Sequence, residues 1–132
     1  LGLDRIDNAY AWRDLIDIGL IIPGGTDAPV EIGDPRIEFY AAVTRKDVDG
    51  FYDEGWNLHQ RVTREEALKM FTIWPAIASF QEDVKGTIEK GKLADLTVFN
   101  KNLMTIPDHE ILESKNILTI VGGRKVFSSI DR

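Results

Sequence analysis

The residue best placed for chemistry is Asp27, which lies in the segment IIPGGTDAPV at positions 21–30. The apolar residues Leu20 to Ile22 predict a short buried strand, and the glycines and prolines around Asp27 exclude helix. At the carboxyl end of a strand in a parallel sheet or barrel, a side chain faces the loops that hold reacting groups. The same pattern also fits an ordinary Asx-turn residue ahead of Ala28-Pro29, so both interpretations stay open at this level.

Composition places the chain among soluble globular proteins. Its 132 residues, enough for one domain, are 43% hydrophobic and 29% charged. The net charge of −6 comes with basic residues scattered among acids, which disfavours a nucleic-acid partner. The absence of cysteine excludes disulfides and thiolate metal sites and is compatible with a cytoplasmic location.

Neither a membrane span nor a targeting segment is expected. The most apolar window, Leu15 to Ile22, is interrupted by Asp17 and stopped by Pro23, far short of the roughly 20 residues that cross a bilayer. The chain starts at Leu1 without an initiator methionine or a signal-peptide pattern. We therefore expect it to be a piece of a longer protein.

The first half is predicted to hold two helices on either side of the Asp27 segment. Apolar positions recur at helical spacing from Ala9 to Ile18, and Gly19 ends that helix. A second helix is predicted over Ile37 to Thr44, inside a loop-rich stretch from Glu31 to Gln60. Long loops of this kind often form the wall of a binding site. For the aromatic residues of this stretch, packing is expected before pocket lining: Phe39, Tyr40, Phe51, Tyr52 and Trp56.

Local signals then predict two further helices. Thr63 and Glu66 have the spacing of a capping box, in which each side chain bonds the backbone N–H of the other residue. The apolar face of the helix that follows is supplied by Ala67, Leu68, Met70 and Phe71. Pro75 ends or breaks this helix, and a second one is predicted through Phe80.

In the last third of the chain, the sequence pattern changes from one typical of helices to one typical of β-strands. Runs rich in β-formers are punctuated by glycine, asparagine and proline, and Gly122-Gly123 predicts a tight hairpin turn. A short helix or turn is predicted over Asp108 to Ser114. The predicted strand runs are Thr87-Ile88, Leu93 to Phe99, Ile117 to Val121 and Lys125 to Phe127.

Four sequence blocks, in this order, resemble the C-terminal end of metal-dependent hydrolases of the amidohydrolase superfamily, and most closely the amidohydrolase-3 group. The resemblance runs from about Tyr10 to Phe127, and its most specific block is GTIEKGKLADLTVF at positions 86–99. Gly86 and Gly91 in that block are expected to permit turns, and Asp95 is expected to hydrogen-bond local amides at a strand entrance rather than to serve catalysis. The three earlier blocks are GTDAPV at 25–30, AVTR at 42–45 and TREEAL at 63–68.

The fold implied by the resemblance is α/β, the C-terminal portion of a (β/α)8 barrel plus antiparallel strands of a small composite β-sandwich. The eighth barrel strand would be Leu20 to Ile22, followed by helices. The implied division is residues 1–83 for the end of the barrel and 84–132 for strands of the accessory sandwich.

The resemblance also implies chemistry at Asp27. In the family, the aspartate after the eighth strand binds a divalent metal, most often zinc, and takes a proton from the metal-bound water. The family's other ligands lie on earlier barrel strands, and neither His59 nor His109 matches a ligand motif, so both are expected at the surface. Arg45 and Trp56 are the further candidates, as substrate contacts.

These observations predict a C-terminal fragment of a metal-dependent amidohydrolase that cleaves a C–N (amide-type) bond, other than a peptide bond, in a small molecule. The fragment alone is expected to be inactive and to lack a metal of its own. It is also expected to self-associate or to contact the missing N-terminal part. The alternative is a non-catalytic regulatory or interaction module on the same scaffold.

Overall fold

The computed structural model describes residues 2–6, 8–49 and 53–130. Within these ranges the chain forms short helices followed by a three-stranded antiparallel sheet. None of the helices in the described ranges is long and apolar enough to cross a membrane. The α-helices are α1 (Leu3–Ile6), α2 (Trp12–Asp17), α3 (Pro35–Thr44), α4 (Arg64–Met70) and α5 (Ile73–Ala78). The strands are β1 (Leu96–Phe99), β2 (Asn116–Val121) and β3 (Arg124–Ser128), and 3₁₀ turns cover Leu58–Gln60 and Asp108–Glu110.

The helices α2 and α3 confirm the two predicted in the first half. The apolar spacing from Ala9 to Ile18 produces the shorter helix α2. Helix α3 begins two residues earlier than expected, because Asp34 caps it by accepting the Arg36 N–H at 3.0 Å and Pro35 occupies its first position. It ends at Thr44, and the C-cap residue Arg45 has a left-handed φ of 58°.

The capping box at the start of α4 is formed as predicted. The Thr63 hydroxyl accepts the Glu66 N–H, and the Glu66 carboxylate accepts the Thr63 N–H at 2.7 Å. Helix α4 ends at Met70, ahead of Pro75, which lies in the first turn of α5. A proline is tolerated there because the first turn of a helix has no internal acceptor for its N–H groups.

The core of the described residues lies between α3 and α4. The buried side chains Phe39, Ala42 and Val43 of α3 pack with Ala67 and Met70 of α4. Other residues join this cluster from the segments around the two helices: Val62, Trp74 and Ile111. Phe39 is buried, which confirms the prediction that this aromatic residue packs in the core. Phe51 and Tyr52 lie outside the described residues.

The sheet has the order β1-β2-β3, with antiparallel pairs throughout. Gly122 and Gly123, at φ 55° and 75°, make the predicted tight turn between β2 and β3. Large apolar side chains of this sheet, among them Val121, Val126 and Phe127, are exposed. The sheet therefore adds little to the core formed by the helices.

Two predicted strands are wrong. Residues 20–22 form no strand, and Leu20 and Ile21 are 51% and 40% exposed. Among backbone hydrogen bonds between described residues, none involves Ile21 or Ile22. Thr87-Ile88 also forms no strand, and Ile88 is almost fully exposed. A strand needs a paired neighbour, and β1 to β3 pair only with one another, so neither apolar run has a partner in the described chain.

Gly86 serves a turn, as its position predicts. Its φ is 95°, and a Cβ atom built there would lie 2.8 Å from the Ala76 Cβ and 3.0 Å from the Ile73 Cα. Only glycine allows the chain leaving α5 to approach the helix this closely.

Candidate functional site

Asp27 lies in an exposed loop rather than at the end of a strand. Its φ is 50°, a left-handed value that aspartate tolerates better than most residues. Its carbonyl oxygen accepts the N–H groups of Val30 at 2.8 Å and Glu31 at 3.3 Å. The backbone thus forms the turn that the local sequence allowed, and Asp27 as a whole is exposed.

The Asp27 loop is anchored to the end of α4. The Gly24 N–H donates to the Met70 carbonyl at 2.8 Å. A Cβ atom on Gly24 would come within 3.0 Å of the Phe71 ring, so the loop lies directly on that ring. This anchor fixes the chain three residues before Asp27.

The described residues do not by themselves form a metal site. No group of three or more histidine, cysteine, aspartate or glutamate side chains among them could hold a metal ion. His59 and His109 are exposed, as expected. Asp27 could offer at most one ligand, whereas catalytic zinc takes about three from protein.

Arg45 and Trp56, the two predicted substrate contacts, lie against each other. The Arg45 guanidinium lies 4.5 Å from the ring centroid of Trp12 and 4.9 Å from that of Trp56, an arrangement that gives cation–π attraction on both faces. Its Nε donates to the Trp56 carbonyl at 3.0 Å, and its Nη1 donates to the Tyr10 carbonyl at 3.3 Å. Sequence reasoning missed Trp12 and Tyr10, whose roles depend on this tertiary contact.

The Arg45 side chain carries an unused hydrogen-bond donor. Arg45 is only 6% exposed, and its Nη2 is buried with no hydrogen-bond partner among the described residues. Burial lowers the pKa of Arg45, because the charged form loses its hydration. A buried cation with a spare donor favours an incoming oxygen acceptor.

A second charged cluster joins α2 to α4. Arg13 donates two parallel hydrogen bonds to the Glu66 carboxylate, at 2.7 and 2.8 Å, and its Nε donates to Asp17 at 2.8 Å. Hydrogen bonding from Arg13 lowers the pKa of Glu66 to about 2, against the smaller opposing effect of burial. One carboxylate therefore caps α4 and pairs with α2. The capping box was visible in the sequence, but the partner 53 residues away was not.

Residues of α3 line two surface cavities, and Asp27 lines neither of them. One, of about 430 Å³, is rich in carboxylates; it includes Glu38, whose pKa is raised by burial and then by repulsion from Glu31. The other, of about 740 Å³, is rich in cationic side chains. Its lining residues are Arg13, Val43, Leu58, His59, Arg61, Val62, Thr63, Arg64 and Asp108.

Comparison with solved structures supports the fold. An amidohydrolase from Thermotoga maritima MSB8 matches 90% of this chain with a TM-score of 0.66 and 23% identity, and the match covers 26% of that chain. At this identity the likeness bears on the fold alone.

Sequence comparison identifies relatives that are several times longer. The chain is 33% identical to YtcJ of Bacillus subtilis (strain 168) over 96% of its own length and 24% of that protein. It is 32% identical to the N-substituted formamide deformylase of Arthrobacter pascens over 86% of its length and 20% of that protein. Protein LONG AFTER FAR-RED 3 of Arabidopsis thaliana is 27% identical over 96% of this chain and 21% of its own length. The chain thus spans about a quarter or less of the curated relatives it matches.

A match over nearly the whole chain assigns it to a family. The sequence profile of the Amidohydrolase family matches residues 1–127. This match includes the Asp27 loop, the cluster around Arg45 and the sheet. The chain therefore belongs to the amidohydrolase family.

Proposed function

We propose that this chain is the C-terminal portion of a hydrolase that cleaves a C–N (amide-type) bond in a small molecule. The observation that carries the proposal is the family match over residues 1–127, supported by the similarity to a formamide deformylase. Because the chain spans about a quarter or less of its relatives, the 132 residues alone would be inactive. The test is hydrolysis of small N-substituted amides by the full-length protein, with Asp27 intact and with Asp27→Asn.

In this proposal Asp27 accepts a proton from the attacking water and passes it to the leaving amine. A carboxylate suits both steps, since it acts first as a base and then, once protonated, as an acid. Two observations support the proposal. Asp27 is exposed, so a substrate can reach it. The hydrogen bond from Gly24 to Met70 fixes the backbone next to it.

The family is generally metal-dependent, and we propose that Asp27 supplies one oxygen ligand to a divalent cation, most simply zinc. The remaining ligands would come from outside these 132 residues. Such a cation would lower the pKa of a bound water and make it a nucleophile at neutral pH.

We further propose that Arg45 and Trp56 contact the substrate. The support is the spare Nη2 donor of Arg45 beside the half-buried Trp56 ring, since an acceptor oxygen there would satisfy a buried polar group.

Replacing the guanidinium tests the contact. In the full-length protein we expect Arg45→Lys to raise KM about tenfold, the value of one charge-assisted hydrogen bond, with kcat changed little. Arg124→Lys, on the exposed β3, is the matched control and should leave KM unchanged. An unchanged KM in Arg45→Lys, in a protein that melts at the wild-type temperature, would remove Arg45 from the site.

The architecture of the whole protein is also a proposal. We propose that residues 1–83 complete a (β/α)8 barrel and that residues 84–132 belong to a composite β-sandwich, in a cytoplasmic protein. The unpaired segment 20–22 and the exposed apolar side chains of the sheet support this, because both need a cover that the described chain does not provide.

Without that cover, the 132-residue chain is expected to self-associate. Light scattering at increasing concentration should show an average mass above 14.9 kDa. A monodisperse monomer at high concentration would contradict the proposed cover.

No feature of the described residues favours the alternative function, a non-catalytic regulatory or interaction module.

A further inference from the structure

The cavity of about 740 Å³ stands out because the chain as a whole is acidic. The net charge is −6, yet Arg13, Arg61, Arg64 and His59 all line this cavity. Asp108 is the one carboxylate-bearing residue in its lining, and that carboxylate accepts from the Arg64 Nη2 at 2.6 Å. Two carboxylates pair with Arg13 and one pairs with Arg64, so Arg61 is the arginine of the lining that has no ion pair among the described residues.

Two of the guanidinium groups are held in place with donors to spare. Arg13 uses three of its five N–H groups on Glu66 and Asp17. Arg64 is held by the carbonyls of Leu103 and Ile106 together with Asp108. A ligand that meets these groups need not immobilise them, which lowers the entropic cost of binding.

The other two basic residues of the lining have no such partners. His59 and Arg61 are exposed and make no side-chain hydrogen bond or ion pair with the described residues. They lie two residues apart in the segment that leads into α4, and both line the cavity together with Thr63. Neither contact with the core nor a structural ion pair accounts for placing them there.

We propose that this cavity binds the phosphate group of a small phosphorylated molecule. Guanidinium groups bind phosphate through paired, charge-assisted hydrogen bonds, and an arrangement of several cations favours a dianion over a monoanion. The volume leaves room for a substituent beyond the phosphate. This inference does not depend on the proposed hydrolysis, because the cavity does not include Asp27.

The probe is inorganic phosphate, titrated calorimetrically into the protein at constant ionic strength set with chloride. We expect saturable binding in the wild type and an affinity about tenfold lower in Arg61→Ala, which removes one free cation. Arg124→Ala, an exposed arginine on β3, is the matched control and should bind as the wild type does. Equal affinities in Arg61→Ala and Arg124→Ala would show binding by general charge and overturn the site.

A second variant tests the same site in the opposite direction. Asp108→Asn removes the carboxylate from the lining and should tighten phosphate binding severalfold, since a like charge near the ligand is lost. Unchanged or weaker binding in Asp108→Asn, or no saturable binding by the wild type at millimolar phosphate, would contradict the proposal. Circular dichroism of each variant checks that the fold is intact.

Discussion

Asp27→Asn in the full-length protein is expected to reduce kcat by about 10²- to 10⁴-fold, the range typical of a lost general acid–base group. Asparagine has nearly the same shape and keeps one oxygen, but it cannot accept the proton of the attacking water. Metal content should therefore fall less than turnover. Paired kinetics and metal analysis on the same preparation measure both quantities.

The control for this substitution is Asp83→Asn, which removes the carboxylate of another exposed aspartate, in a turn after α5. It should leave kcat and metal content at the wild-type level. Wild-type turnover in Asp27→Asn would exclude Asp27 as the base. Tight, stoichiometric zinc binding by the 132-residue chain would show that a metal site lies elsewhere in it.

Glu66→Gln is expected to destabilise the fold by about 2–3 kcal/mol at pH 7. The substitution removes the charge that accepts two hydrogen bonds from Arg13 and weakens the cap of α4, and Arg13 is left facing a neutral amide. Urea denaturation of the two proteins measures the difference. Glu65→Gln is the matched control: the Glu65 carboxylate is mostly exposed and, among the described residues, pairs only with Lys69, so the cost should stay below about 0.5 kcal/mol.

The effect of Glu66 depends on pH in a defined direction. The pKa of Glu66 is about 2 in the folded protein, below its ordinary value of 4.5. The unfolded chain therefore binds the proton first as pH falls, so the stabilisation is complete above about pH 5 and is lost progressively down to pH 2. The free-energy difference between wild type and Glu66→Gln should shrink over that range. A difference that stays constant from pH 7 to pH 2 would contradict the assigned ion pair.

The parts of the fold that follow from local sequence were predictable. The capping box of Thr63 and Glu66 depends on residues three apart, and the hairpin at Gly122-Gly123 depends on two glycines between β-forming runs. Helices α2 and α3 follow from apolar spacing with errors of a few residues at their ends. In each case the interactions that form the element lie within a few positions of one another.

The parts that depend on distant residues were not predictable. Leu20 to Ile22 have the composition of a strand, but pairing requires a neighbour that the described chain does not provide. The bond between Arg13 and Glu66 and the enclosure of Arg45 by Trp12 and Trp56 join residues far apart in sequence. Nothing in the local pattern distinguishes these two arginines from the exposed arginines of the chain. The role of Asp27 rests on the family and stays a prediction.

The attachments of α4 have a consequence for how the chain can vary in length. Arg13 bonds to Glu66 near the start of this helix, and Gly24 bonds to Met70 at its end, so the segment carrying α2 is held at both ends. The two attachment points are four residues apart, about 6 Å along the helix axis. One residue inserted between them would rotate the second point by about 100° and shift it by about 1.5 Å, which would displace the Asp27 loop. The exposed Leu68 within that span can be replaced by other helix-forming residues, whereas the number of residues between the attachments cannot change.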